Sequence, residues 1–164
     1  MKLDRFGITR TGENERGAAL VEFALILPLL VMIVFGSLTA GLAYQEKQDL
    51  LQIAREGARY GATLPSATTG WATTIQSLVQ NRSSEGIATG DICVALVTGS
   101  DGTLAGVSGH YVNTFNANNT CFAQTSSDTG ERVQVAVRGT SEIQAIVYSW
   151  SVDLAGKATA KFED

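Results

Sequence analysis

The chain has 164 residues, 45% of them hydrophobic but only 7% aromatic, and a net charge of −4. That length holds one ordinary domain plus a separate terminal element. The acidic balance, with no Lys/Arg cluster, excludes a nucleic-acid partner.

Residues 1–17 carry Lys2, Arg5, Arg10 and Arg16 against Asp4, Glu13 and Glu15, a small basic excess, while residues 45–164 carry a net −4. This asymmetry favours an N-terminus inside and a translocated C-terminal part. From Phe23 to Ala43 there are 21 residues without a charge. At 1.5 Å per residue that run is long enough to cross a hydrocarbon core of about 30 Å. Pro28 removes one helical hydrogen bond and predicts a bend near residues 24–28. Gly36 and Gly41 leave small faces for a neighbouring helix.

Glu22 stands just inside this apolar region. A carboxylate within a bilayer costs roughly 2.5–3.5 kcal/mol on insertion scales, so it is usually neutralised or functional. A secretory signal with Gly41 and Ala43 at its cleavage site accounts poorly for it, since such hydrophobic regions span only about 7–15 residues. A plain anchor explains the length but neither Glu22 nor the Arg16-Gly17 pair.

A third reading explains both. The basic leader ends at Gly17, the apolar helix begins at Ala18, and Glu22 is the fifth residue after the glycine. This resembles the class III signal of type IV prepilins, cut on the cytoplasmic side after Gly by a membrane aspartic peptidase. The run "ERGAALVEFALILPLLVMIVFG" resembles the N-terminal signature of TadE-like proteins, the pseudopilins of the Tad (Flp) pilus system, and "AREGARYGA" at residues 54–62 continues the likeness.

The resemblance implies a leader at 1–17, a transmembrane helix at 18–44 and an extracytoplasmic pilin-like domain at 45–164. It makes Gly17 and Ala18 the processing site and places Glu22 and Phe23 in assembly. The implied partners are the prepilin peptidase, other pilin and pseudopilin subunits, the inner-membrane platform and the lipid bilayer. The implied location is the bacterial inner membrane, single-pass, or the cell exterior as part of a pilus. Cleavage would give Ala18 a new ammonium group. Glu22 can meet the Ala18 of its own chain, four residues back on one helical face, or that of a neighbour in a filament. The alternative function is an unprocessed single-pass protein whose outer domain binds a ligand or envelope component.

Beyond Tyr44, Leu50, Leu51, Ala54, Ala58 and Ala62 are apolar or small, and the last four keep helical spacing, while i,i+4 ion pairing is not what holds the helix. Leu64-Pro65 ends it. One helix is therefore expected from about Ala18 to Ala62, roughly 65 Å long at 1.5 Å per residue. "WATTIQSLVQN" predicts a short second helix through Trp71, Ile75, Leu78 and Val79. "DICVALVTG" predicts a strand buried on both faces. Gly99–Thr120 is rich in Gly, Ser, Asn and Thr, with Asp101-Gly102 as a tight turn.

"ERVQVAVRG" alternates, with Val133, Val135 and Val137 inward and Arg132, Gln134 and Arg138 outward. A last strand starts near residue 150, carrying Trp150, Val152, Leu154, Ala158, Ala160 and Phe162. The fold class is thus α+β and pilin-like: a long N-terminal transmembrane and spine helix with a small antiparallel sheet of about three strands.

Cys93 and Cys121 are the only cysteines. An extracytoplasmic compartment permits a disulfide worth roughly 3–4 kcal/mol, against the alternative of two reduced thiols. The one histidine, His110, lies far from both in sequence, so no metal-ligand spacing exists. It predicts a solvated loop residue rather than a catalytic one. Phosphate-binding glycine motifs are absent, and Asp101, Asp128, Glu131 and Asp153 are scattered surface acids. No enzyme and no cofactor are expected.

Overall fold

The computed structural model describes residues 11–83, 86–98, 109–115, 120–123, 130–144 and 148–162, with the backbone alone for 11–16. Residues 1–10 of the expected leader, the Asp101-Gly102 turn and most of the Gly99–Thr120 stretch lie outside the described residues. The architecture is α+β: a long apolar N-terminal helix followed by a small antiparallel sheet domain.

Helix α1 runs over Thr11–Thr63, with 53 residues and Pro28 inside it. At 1.5 Å per residue it is roughly 80 Å long. It starts earlier than the expected Ala18 and passes unbroken through Gly17 and Ala18. Glu, Arg and Ala are good helix formers, and the segment before Gly17 contains no proline to stop it. At its far end Pro65 halts the helix as expected.

The half of α1 beyond Ala43 is covered along one strip: Ala43, Leu50, Ala54 and Ala58 are buried, as are Gly57 and Gly61. Spacings of three and four put these on one face. Their small size sets the packing distance. A Cβ added to Gly57 would lie 2.5 Å from Cγ2 of Val79, and one on Gly61 2.7 Å from Cδ1 of Ile75 and 2.9 Å from Cγ1 of Val133. Leu51, expected on this face, is only half-buried, and Leu50 takes the core position.

Helix α2 spans Trp71–Arg82 and buries Trp71, Ala72, Ile75 and Val79. Leu78 is half-buried. Two tight turns bring α2 back along α1, closed by Thr68 N to Pro65 O at 3.0 Å and Trp71 N to Thr68 O at 3.1 Å. Gly70 supplies the left-handed step at φ +72°, a conformation that favours glycine. The indole Nε1 of Trp71 donates to the Gly61 carbonyl at 3.1 Å, satisfying one of the acceptors that the last turn of α1 leaves open.

Four strands form the sheet in the order β2-β1-β3-β4: β1 Ile92–Val97, β2 Tyr111–Val112, β3 Arg132–Gln144 and β4 Ser149–Lys161. All pairings are antiparallel. The short β2 was not expected; it comes from the polar stretch after β1, where two residues give too little alternation to register. β3 is longer than "ERVQVAVRG" and pairs with β4 from Arg132↔Lys161 to Gln144↔Ser149.

The sheet has two covered faces. Ile92, Val94, Leu96, Val133, Val135 and Val137 pack on the two helices. Leu154, Ala158, Ala160 and Phe162 of the last segment join that core, as their alternation predicts. On the opposite face Cys93, Ala95, Val97 and Ala136 lie under Cys121, Phe115 and Phe122. This second layer corrects the expectation that Arg132 and Gln134 point to solvent. They are 5% and 1% exposed. Gln134 is satisfied there: its Oε1 accepts from the Cys121 amide at 3.3 Å and its Nε2 donates to the Phe122 carbonyl at 3.2 Å. Arg138 is exposed as expected and lies over the Phe115 ring at 3.7 Å.

Cys93 and Cys121 form a disulfide with Cα atoms 5.5 Å apart. It ties the covering segment to β1. For a sequence separation of 28, loop closure is worth about 3–4 kcal/mol. Cys93→Ser/Cys121→Ser should lower denaturant stability of the sheet domain by about 3 kcal/mol; an unchanged midpoint would show that the layer holds without its covalent tie.

Gly156 of β4 lies directly against the α1 backbone, where an added Cβ would overlap the Leu50 carbonyl group and the Leu51 amide. Gly156→Val should therefore cost about 3 kcal/mol or more, because neither backbone can move aside cheaply. Gly90→Ala, at a position with nothing within 4 Å, is the control. Equal melting temperatures for the two variants would rule the contact out as a determinant of stability.

Candidate functional site

The covered strip on α1 stops near Ala43, and the surface then changes. Leu20, Phe23, Leu25, Leu29, Met32 and Ile33 are all more than half exposed, as are most large apolar residues from Leu20 to Leu42. Within Gly17–Thr63 the helix is long and apolar enough to cross a membrane, and none of its apolar window is buried in the chain itself. Such a surface in water would be strongly unfavourable, at roughly 25 cal/mol per Å² of apolar area. The fit is to a single-pass membrane anchor.

The hydroxyls of Ser37 and Thr39 in this half are satisfied within the helix. Ser37 Oγ donates to the Val34 carbonyl at 2.9 Å. Thr39 Oγ1 lies 3.0 Å from the Phe35 carbonyl and 3.1 Å from that of Gly36. Hydroxyls turned back onto their own helix suit a medium without water. Pro28 leaves the Ala24 carbonyl without its usual amide, and the helix continues through it. Gly17, Gly36 and Gly41 have nothing within 4 Å of a built Cβ, so these faces are open to a neighbour.

Ala18 and Glu22 fall four residues apart on one face of α1, and both are exposed. Phe23 is 62% exposed beside them. An ion pair at 3.2 Å lies elsewhere, from Arg82 to Glu56, and Glu22 stands without an ionic partner among the described residues. The helix brings together Gly17, Ala18, Glu22 and Phe23 within two turns. Cys93 and Cys121 meet in the sheet domain, on the sheet face turned away from the helices.

His110 is not the solvated loop residue the sequence suggests. It is half-buried, with Nε2 2.8 Å from the Ser66 carbonyl. A carbonyl only accepts, so that nitrogen carries the proton. The ring meets Trp71 edge-on at 6.3 Å and 74°. It pins the start of β2 to the turn before α2. Among the described residues no group of three or more His, Cys, Asp or Glu side chains is arranged to hold a metal. Glu131 and Asp153 are exposed, and Asp101 and Asp128 lie outside the described residues.

Two features escaped sequence reasoning. Gly57, Gly61 and Gly156 set the helix–sheet distance. For Gly57 and Gly61 the signal was glycine at helical spacing within "AREGARYGA", which propensity alone scores as a weakness; Gly156 carries no such signal. The second is an exposed aromatic pair, Tyr148 and Trp150, 6.3 Å apart at the start of β4. Trp150 follows the alternation of its strand yet is 46% exposed.

No curated protein and no solved structure matches the chain. The family model described as TadE-like protein matches residues 17–59, a family associated with pili and structural in role. Over that segment, from Gly17 through the apolar half of α1 and into its covered half, the chain is similar to TadE-like proteins.

Proposed function

We propose that this chain is a pilin-like structural subunit, a minor pilin or pseudopilin, that a prepilin peptidase processes and that serves assembly of a Tad-type pilus. The observation that carries the reading is the coincidence of the family match with the processing signal: the match begins at Gly17 itself. The apolar surface of α1, open from Gly17 to Leu42, supports it further. A helix of that kind needs lipid before assembly and other helices after it.

In this proposal residues 18–44 cross the inner membrane and residues 45–164 lie outside the cytoplasm. Hydrolysis of the Gly17–Ala18 amide leaves the Gly17 carboxylate on the leader and an ammonium on Ala18. Within the chain, four residues of helix put Glu22 about 6 Å farther along the axis than Ala18. Between chains, a neighbour displaced along the axis brings its ammonium to the same carboxylate. The pilin resemblance favours the second arrangement, with Phe23 packing beside it. Charges at low dielectric are costly unless paired, so the pair sets the axial stagger. The partners are the peptidase, other pilin and pseudopilin subunits, and the inner-membrane platform.

One observation favours a second reading, an unprocessed anchored protein with a binding domain outside. α1 runs unbroken across Gly17–Ala18, so a peptidase must unwind a formed helix to reach the bond. Determining the N-terminal residue of the mature protein separates the readings. A start at Ala18 is expected. An intact Met1 establishes the anchor instead, and a start at Tyr44 a secreted domain.

Glu22→Ala should leave that cleavage largely intact while pilus number falls severely, counted by electron microscopy beside the N-terminal determination. Normal piliation would remove the role given to Glu22.

A further inference from the structure

The β3–β4 hairpin descends α1 towards the apolar half of the helix. Built side chains give the register: Gly61 meets Val133, Gly57 meets Val135, and Gly139 meets Leu50. Rising numbers on β3 thus correspond to falling numbers on α1. Ile143, paired with Trp150, lies four residues beyond Gly139. At about 3.3 Å per strand residue that is about 13 Å, or about nine helical residues at 1.5 Å each. The Ile143–Trp150 pair therefore stands level with roughly Gly41, inside the uncharged run.

Burial on α1 agrees. Ala43 is 9% exposed, whereas its neighbours Leu42 and Tyr44 are 61% and 64% exposed. Ala43 lies two turns below Leu50 on the same face, and Thr39 and Glu46, on the same strip, are half-buried. The helix strip that the sheet covers in the outer domain continues down to this level.

At that level the described hairpin residues Ile143 and 148–152 carry no charge. The sequence from Ile143 to Val152 carries no charged residue, between Glu142 and Asp153. Tyr148 is 71% exposed and Trp150 46% exposed, with rings 6.3 Å apart and tilted by 34°. Tyr44 of α1 is exposed at nearly the same height. Tyrosine and tryptophan are the side chains that favour the headgroup level of a bilayer, with an apolar ring and a polar tip.

We propose that the start of β4, through Tyr148 and Trp150, is a membrane-interface contact that seats the outer domain on the lipid surface α1 crosses. The occupant is the headgroup and upper acyl region of that bilayer. The site is continuous with the lipid-facing surface of α1 and carries no charge to keep it in water. The span fits as well. Gly17 to Leu38, below the covered strip, measures about 33 Å at 1.5 Å per residue, close to a hydrocarbon core of about 30 Å. Gly41, Tyr44, Tyr148 and Trp150 then fall in the interface, and Glu46 and Asp49 beyond it. The contact holds the domain at a fixed height and tilt before any assembly.

This inference rests on the reading of α1 as a membrane span, and one experiment separates the two. The full chain is reconstituted in phosphatidylcholine vesicles whose acyl chains are plain or brominated near the headgroup end, and tryptophan emission is read after flotation. The chain has two tryptophans. Trp71 is 0% exposed and bonded to Gly61, about 27 Å along α1 from Ala43 at 1.5 Å per residue, so it serves as an internal reference.

The expected result is a loss of emission in brominated vesicles that is absent in Trp150→Phe, at every protein-to-lipid ratio. Floating chain with equal emission in both lipids overturns the contact while leaving the span intact. So does a loss that persists in Trp150→Phe. A Trp150 blue shift only at high protein-to-lipid ratio assigns the surface to a second copy of this chain and also overturns it. Failure to float overturns both the contact and the span.

Discussion

The outer domain depends on how closely its sheet can approach α1, and that approach is a contact of backbone on backbone. Gly156 of β4 lies against the Leu50 peptide, and Gly57 and Gly61 admit Val79, Val135, Ile75 and Val133 from α2 and β3. A side chain at any of these positions would separate the layers and open space in the valine-rich core between them. The cost of glycine within a helix, roughly 0.5–1 kcal/mol per residue relative to alanine, is offset by the contacts that close approach permits. Side-chain size along α1 thus follows its neighbour. It is small where a sheet must come near, and large and branched where no protein covers it.

The same helix meets two environments, which orders the rest of the molecule. The exposed half satisfies its hydroxyls on its own carbonyls, as Ser37 and Thr39 do. The covered half brings α2 back on itself through two turns, with Trp71 taking the Gly61 carbonyl. The sheet's far face cannot use α1, so a segment closed by Cys93–Cys121 covers it. Gln134 is buried there because both ends of its amide find backbone partners, and a buried amide left unpaired would be destabilising.

How far the sequence reveals this differs by element. The uncharged run, the α2 spacing and the two-residue alternation of Val133, Val135 and Val137 are one-dimensional patterns, and the structure follows them. So do the all-buried β1 and the last strand near residue 150. The outward placement of Arg132 and Gln134 fails because alternation identifies two faces without saying whether the second is covered. The covering residues, Phe115, Cys121 and Phe122, are distant in sequence and carry no period. Likewise Ser141, buried with 4% exposure, and Ile143 continue β3 through a mixed segment whose pairing is set by β4. The start of α1 at Thr11 rather than Ala18 reflects helix propagation, which needs no signal at the point it passes through. Of the candidate site, the sequence singles out Gly17, Ala18, Glu22 and Phe23 because motif and helical spacing coincide there, and the structure carries all four on α1. Tyr148 and Trp150 were not, since their significance lies in their height against α1.

That height bears on Glu22. If the hairpin holds the outer domain at the lipid surface, the depth of α1 is set from above, and Glu22 cannot escape into the cytoplasmic interface by an upward or downward shift of the helix. Five residues from the start of the span, it is held about 6–8 Å inside Gly17 at 1.5 Å per residue. At that shallow depth the cost is less than the roughly 2.5–3.5 kcal/mol of a mid-bilayer carboxylate, so a lone subunit tolerates it. Under the proposed processing, a carboxylate at that depth would favour an ammonium partner. In the proposed assembly, a fixed domain height would make that partner's position the same for every subunit, which is what a regular axial stagger requires.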